Sequence, residues 1–111
     1  MMAQALDFAA AEPIFVALGD TTRRRMMRLV SEGPKSVSEL AKALSVTLTA
    51  VTQHLHVLQD CGLVQTKKVG RVRVCAMDYR GLDVLQQWTT LNRQLWDARF
   101  KALAAMMEEP D

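Results

Sequence analysis

Only two cysteines, Cys61 and Cys75, occur in the 111 residues. That is too few for a disulfide framework, and a reduced, cytoplasmic setting is the expectation. Long apolar runs are missing: the clearest, Phe8–Ala11 and Ile14–Leu18, fall far short of the roughly 20 residues that cross a bilayer. The N-terminus has no cationic start before an apolar stretch, so it does not read as a secretion signal. Internal repeats, linkers and low-complexity tracts are absent, which leaves one domain over residues 1–111. Catalytic equipment is lacking as well. No nucleophile–base–orienter set, glycine-rich phosphate loop or paired carboxylates in a predicted cleft can be assembled, and an enzyme is not expected.

What is present is an ordinary globular balance, 50% hydrophobic and 23% charged, which argues against whole-chain disorder. The charge is unevenly spread. Asp20 to Arg80 holds 11 Lys/Arg against 5 Asp/Glu, whereas the flanks hold 3 against 7. A basic middle between acidic ends fits a surface that meets a polyanion; the alternative is plain charge scatter.

Helical spacing covers Leu6–Leu18 and stops at Gly19, with Pro13 marking either the start of that helix or a bend in it. Asp20 and Thr21 can cap a second helix reaching about Glu32. Its Met26, Met27 and Val30 form the apolar face, with Arg23, Arg24, Arg25 and Arg28 solvated. Ser36-Val37-Ser38-Glu39 is a capping box for a short third helix carrying Leu40 and Leu44. Ser45-Val46-Thr47 connects it to a fourth helix over about 48–61, with Gly62 just beyond. From Leu63 the period shortens. Leu63–Lys68 and Arg71–Met77 read as a hairpin (a wing over about 63–77) separated by Val69-Gly70. A last helix is expected over about 82–107. The chain is therefore mainly α with one β-hairpin, in the order α-α-α-α-β-β-α.

The fourth helix is the informative one. On a wheel of about 100° per residue, Val51, Leu55 and Leu58 share a buried stripe. Thr49, Thr52, Gln53 and His56 lie opposite, on a face free of acid until Asp60. Gln can bond adenine twice, Thr offers a hydroxyl and a methyl, and His can donate, so these side chains suit base edges. Two readings remain for His56, base contact or simple exposure. His54 flanks the buried stripe and reads as a hydrogen-bonded structural histidine. The two histidines lie too far apart around the helix to share a metal ion.

A capped short helix, a tight turn and a helix with this face make a helix-turn-helix. The hairpin that follows carries Lys67, Lys68, Arg71 and Arg73 with no anion among them, as a ribbon touching phosphates or the minor groove would. The candidate DNA contacts are accordingly Leu48, Thr49, Ala50, Thr52, Gln53 and His56 on the helix, with Lys67, Lys68, Arg71 and Arg73 on the wing. The last helix is apolar over about half its circumference. Leu82, Leu85, Trp96, Phe100, Leu103 and Met107 form one arc, and Val84, Trp88, Leu91, Leu95 and Met106 the other. One arc can close the domain and the other can meet a partner.

Leu18-Gly19-Asp20-Thr21-Thr22-Arg23-Arg24-Arg25, Ser38-Glu39-Leu40-Ala41, Val51-Thr52-Gln53-His54-Leu55-His56-Val57-Leu58, Gly62-Leu63-Val64 and Gly70-Arg71 together resemble the ArsR, or arsenic-repressor, family of winged helix-turn-helix regulators. The resemblance runs from about Ile14 onward and is most specific from Val51 to Val64. It implies a homodimeric repressor that binds a double-stranded operator with two half-sites and dimerises through its first and last helices. Phe8, Phe15, Trp88, Leu91, Leu95, Trp96 and Leu103 are the dimer residues this implies.

Many such regulators release DNA on binding metal, through a Cys-x-Cys pair near the third helix or Asp, His and Glu on the last. Here the third helix has no cysteine and the last helix no histidine, so no metal and no cofactor is expected. The Trp96-Asp97-x-Arg99-Phe100-x-x-Leu103 ending is similar to a metal-independent subgroup often encoded beside small lipid-transfer-like domain proteins. Two alternatives stay open. One is an interaction module on the same fold that no longer reads DNA. The other is a metal- or thiol-responsive sensor, with a Cys61–Cys75 redox switch as its thiol form, although nothing near either cysteine marks a low-pKa thiol and two buried structural cysteines are the favoured reading.

Overall fold

A computed structural model describes residues 8–108. The order is α1 (Phe8–Leu18), α2 (Thr21–Ser31), β1 (Lys35–Ser36), α3 (Val37–Leu44), α4 (Leu48–Asp60), β2 (Val64–Val69), β3 (Val72–Met77) and α5 (Tyr79–Glu108). α1 continues through Pro13 instead of starting there, and Ala11, Ile14 and Ala17 bury one side of it. Asp20 caps α2, its carboxylate accepting from the Arg23 backbone N–H at 3.0 Å. The capping box on α3 forms in both directions: Glu39 N–H donates to Ser36 Oγ at 3.0 Å, and Ser36 N–H donates to Glu39 Oε1 at 2.9 Å. Ser45 then turns through the left-handed region (φ 56°), and Thr47 Oγ1 accepts from Ala50 N–H to start α4.

The sheet holds three strands in the order β1-β3-β2. β1 is a finding that the sequence pattern did not suggest. It is two residues long, pairing Lys35 with Cys75 and Ser36 with Val74, too short to display an alternation. The hairpin also turns one residue later than expected. Val69 pairs with Val72, so Gly70-Arg71 is the loop. A two-residue hairpin loop favours positive φ at its first position, and Gly70 supplies it at 64°.

Side chains from every layer meet in one core, including Ile14, Met26, Leu40, Val51, Leu55, Leu58, Leu63, Val64 and Cys75. The last helix begins at Tyr79, three residues before the expected start, because its first turn is pinned. Asp78 accepts from Arg80 N–H, and Gly81 N–H donates to Gly62 O at 2.8 Å. A Cβ on Gly81 would lie 2.9 Å from that same carbonyl oxygen, so this crossing requires glycine.

The two arcs of the last helix do not divide the work around the circumference as expected. Leu82, Leu85 and Val84, drawn from both arcs, all pack on the core. The division runs along the length instead. Trp96, Phe100, Leu103, Met106 and Met107, again from both arcs, are 52–77% exposed. The helix therefore projects, and the molecule measures 73 × 26 × 21 Å with a radius of gyration of 19.2 Å, against about 13 Å for a compact chain of this length.

Candidate nucleic-acid interface

α4 packs Val51, Leu55 and Leu58 into the core and leaves Thr49, Thr52, Gln53 and His56 exposed. Leu48 is also exposed and Ala50 half-buried. Thr52 Oγ1 donates to Leu48 O at 2.9 Å, which fixes the hydroxyl so that it meets an outside group as an acceptor. The polar face is thus a short row of distinct donors and acceptors on a helix anchored by three buried aliphatic side chains.

The hairpin register separates the four wing cations. Lys68 and Arg73 are cross-strand partners in register with the Val64 and Cys75 side of the ribbon, Lys67 pairs with Val74 on the other side, and Arg71 sits in the turn. Like charges facing each other across a ladder repel, and a polyanion placed over the pair removes that penalty. Arg73 does not project freely. Its guanidinium donates to Thr66 Oγ1 at 2.9 Å, and that hydroxyl donates to Gln59 Oε1 at 3.3 Å. The chain of bonds ties the wing to the last turn of α4. Between them lies a cleft of about 410 Å³ lined by Thr52, His56, Gln59, Asp60, Thr66 and Arg73, among others.

Sequence reasoning missed Gln59 and Thr66. Gln59 stands at the margin of the polar face, and Thr66 is two residues along the strand from buried Val64. Its inward register could have been read from the alternation.

Behind α4, Arg23 is half-buried, a correction to its expected solvation. Its Nε donates to Ala17 O at 2.7 Å and one terminal nitrogen to Val16 O at 3.2 Å. The other terminal nitrogen lies 3.3 Å from His54 Nδ1. Guanidinium can only donate, so His54 Nδ1 is the acceptor. His54 is thus a hydrogen-bonded structural residue, as its wheel position suggested. Asp20 Oδ2 lies 3.9 Å from the same nitrogen, and the backbone bond from Arg23 holds the Asp20 carboxyl below its usual range.

Burial pushes the Cys75 thiol up to about 11, and it raises the half-buried Cys61 thiol as well. Reactive cysteines need the opposite shift. Among the described residues, no three His, Cys, Asp or Glu side chains gather as metal ligands, and no helix is long and apolar enough to cross a membrane.

α1 and α5 carry the other expected contacts. Phe15 meets Trp88 edge-on with ring centroids 5.0 Å apart, and Trp88 meets Trp96 at 6.0 Å. Leu91 and Leu95 are half-buried, and Trp96 and Leu103 each 52% exposed. Phe8 opens α1, but its side chain lies outside the described residues.

A helical core with a helix-turn-helix at α3–α4 and a basic β2–β3 wing beside it defines a winged helix-turn-helix protein. Residues 20–66 match the model of the bacterial regulatory protein, arsR family. The chain is 38% identical over 92 residues to the HTH-type transcriptional regulator Rv2034 of Mycobacterium tuberculosis, covering 83% of each. It is similar to the solved ArsR-like transcriptional regulator from Rhodococcus sp. RHA1, at 30% identity and a TM-score of 0.86 over 95% of this chain and 96% of that one. A third likeness, of fold alone, is to the homodimeric winged helix-turn-helix DNA-binding domain of Mb0332 from Mycobacterium bovis, with 22% identity, a TM-score of 0.65 and 90% of each chain covered. The chain belongs to the ArsR family of bacterial transcriptional regulators.

Proposed function

We propose that this regulator acts as a cytoplasmic homodimeric repressor, one domain per chain, that reads operator DNA with the face Leu48–His56 of α4. Thr49, Thr52, Gln53 and His56 meet base edges in the major groove, with Leu48 and Ala50 beside them at the start of the helix. Lys67, Lys68, Arg71 and Arg73 contact the flanking backbone. The observation that carries this reading is the exposed face of α4, free of acid from Leu48 to Gln59, set directly beside a cationic hairpin. Dimerisation uses Phe8 and Phe15 of α1 with Trp88, Leu91, Leu95, Trp96 and Leu103 of α5. Support comes from the exposed aromatic and aliphatic side chains of the projecting helix, and from the homodimer formed by the Mb0332 domain of like fold.

A fluorescence-anisotropy titration against the promoter upstream of its own gene tests the reading. Saturable binding at a salt where random duplex of equal length binds far more weakly is expected. Equal affinity for both duplexes removes the base-reading assignment.

A further inference from the structure

We infer that Arg23 is the positioning residue that sets the orientation of the recognition helix relative to α1, and thereby the half-site spacing that the dimer accepts. This rests on the proposed dimer and on α4 as the reading helix. Arg23 stands where three elements converge. Its backbone N–H is held by the Asp20 cap at the start of α2. Its guanidinium takes up two carbonyls at the C-terminal end of α1, Val16 O and Ala17 O, and reaches His54 Nδ1 in the middle of α4.

These bonds join a helix at the proposed dimer contact to the helix that meets bases. On a wheel of about 100° per residue His54 lies about 100° or more from Thr49, Gln53 and His56, outside the proposed base-reading face. A guanidinium presents several donors in a rigid planar fork and keeps its charge at all working pH values. It therefore fixes direction as well as distance. α1 otherwise meets the core through apolar side chains such as Ile14 and Ala17, and apolar packing tolerates rotation. The acceptor must be a neutral ring nitrogen, which places the His54 proton on Nε2.

Moving one half-site by a single base pair turns it by roughly 35° about the duplex axis. A dimer with rigidly oriented reading helices penalises that displacement, and a dimer with loosened ones does not. The test begins with duplexes selected from a random pool by the wild-type chain. Kd is then measured for the selected operator, for versions with the half-sites one and two base pairs closer or farther, and for unrelated duplex. Wild type is compared with R23Q, H54L and H54N.

Asparagine offers an oxygen acceptor near the place of Nδ1, so H54N is expected to keep the wild-type spacing preference. H54L is expected to lose about tenfold of it, the scale of one hydrogen bond to a charged group, and R23Q, which also removes the bonds to α1, at least as much, with affinity for unrelated duplex unchanged. Should R23Q not fold, the H54L and H54N pair probes the same bond from its other end. The inference is overturned if R23Q and H54L weaken every duplex by one common factor, or if H54N behaves like H54L. A wild-type chain that selects no sequence at all overturns the DNA-reading proposal itself, a distinct result.

Discussion

Gln53 and Arg71 belong to the same proposed interface but answer different questions. Gln53 is exposed on the polar face of α4, where a bidentate bond to a base edge distinguishes one base pair from another. Gln53→Ala is expected to cost about 1–3 kcal/mol on the preferred operator and little on unrelated duplex, checked by competition titration. Arg71 sits at the hairpin turn, where the proposed interface brings it to phosphate. Arg71→Ala should weaken binding to all sequences and lower the slope of log K against log salt by about 1, measured across a salt series.

Acid stability is decided at single residues too. Hydrogen bonds from Arg80 hold the Asp78 carboxyl below its usual range, and the Asp20 and Glu39 caps are lowered by the backbone N–H groups of Arg23 and Ser36. A lowered folded-state pKa contributes stability above the unfolded value, which is lost as pH falls through the folded one. The urea midpoint should therefore drop as the solution is acidified from pH 5 towards 3. In Asp78→Asn part of that drop should be missing, with the midpoint at pH 7 already lower.

At the scale of elements, the sequence made the helices legible wherever side chains announce their ends. Asp20, Ser36 with Glu39, and Thr47 each cap the helix they were expected to cap. The buried triad of α4 followed from its spacing, and so did the exposed polar face. Three features were not legible, each because it depends on a distant partner. β1 exists only through its pairing with β3. The half-burial of Arg23 depends on the carbonyls of α1 and the ring of His54. The early start of α5 depends on the close approach of Gly81 to Gly62. That approach makes a prediction: Gly81→Ala forces its Cβ against the Cys61 and Gly62 backbone, and the strain should cost about 1–3 kcal/mol in urea unfolding. Substitution at Gly70, where a Cβ would meet nothing within 4 Å, leaves only the cost of positive φ.

The whole molecule is long because half of one helix projects beyond the core. Trp96, Phe100, Leu103 and Met107 follow one another at spacings of four, three and four residues, and all are at least half exposed. Such a stripe on an isolated helix is a standing cost in water unless a second apolar surface covers it. Phe100→Asp should therefore shift the chain from dimer to monomer in sedimentation equilibrium at micromolar concentration while leaving its helical signal near wild type. Loss of the dimer should also weaken operator binding by orders of magnitude, since one reading helix cannot hold two half-sites.

Stoichiometric titration of a selected operator shows whether two copies present paired α4 helices to one duplex, as proposed. Saturation at two chains per duplex is expected, with strong competition from the same operator and weak competition from a scrambled one. Saturation at one chain per duplex, or equal competition by both, contradicts it.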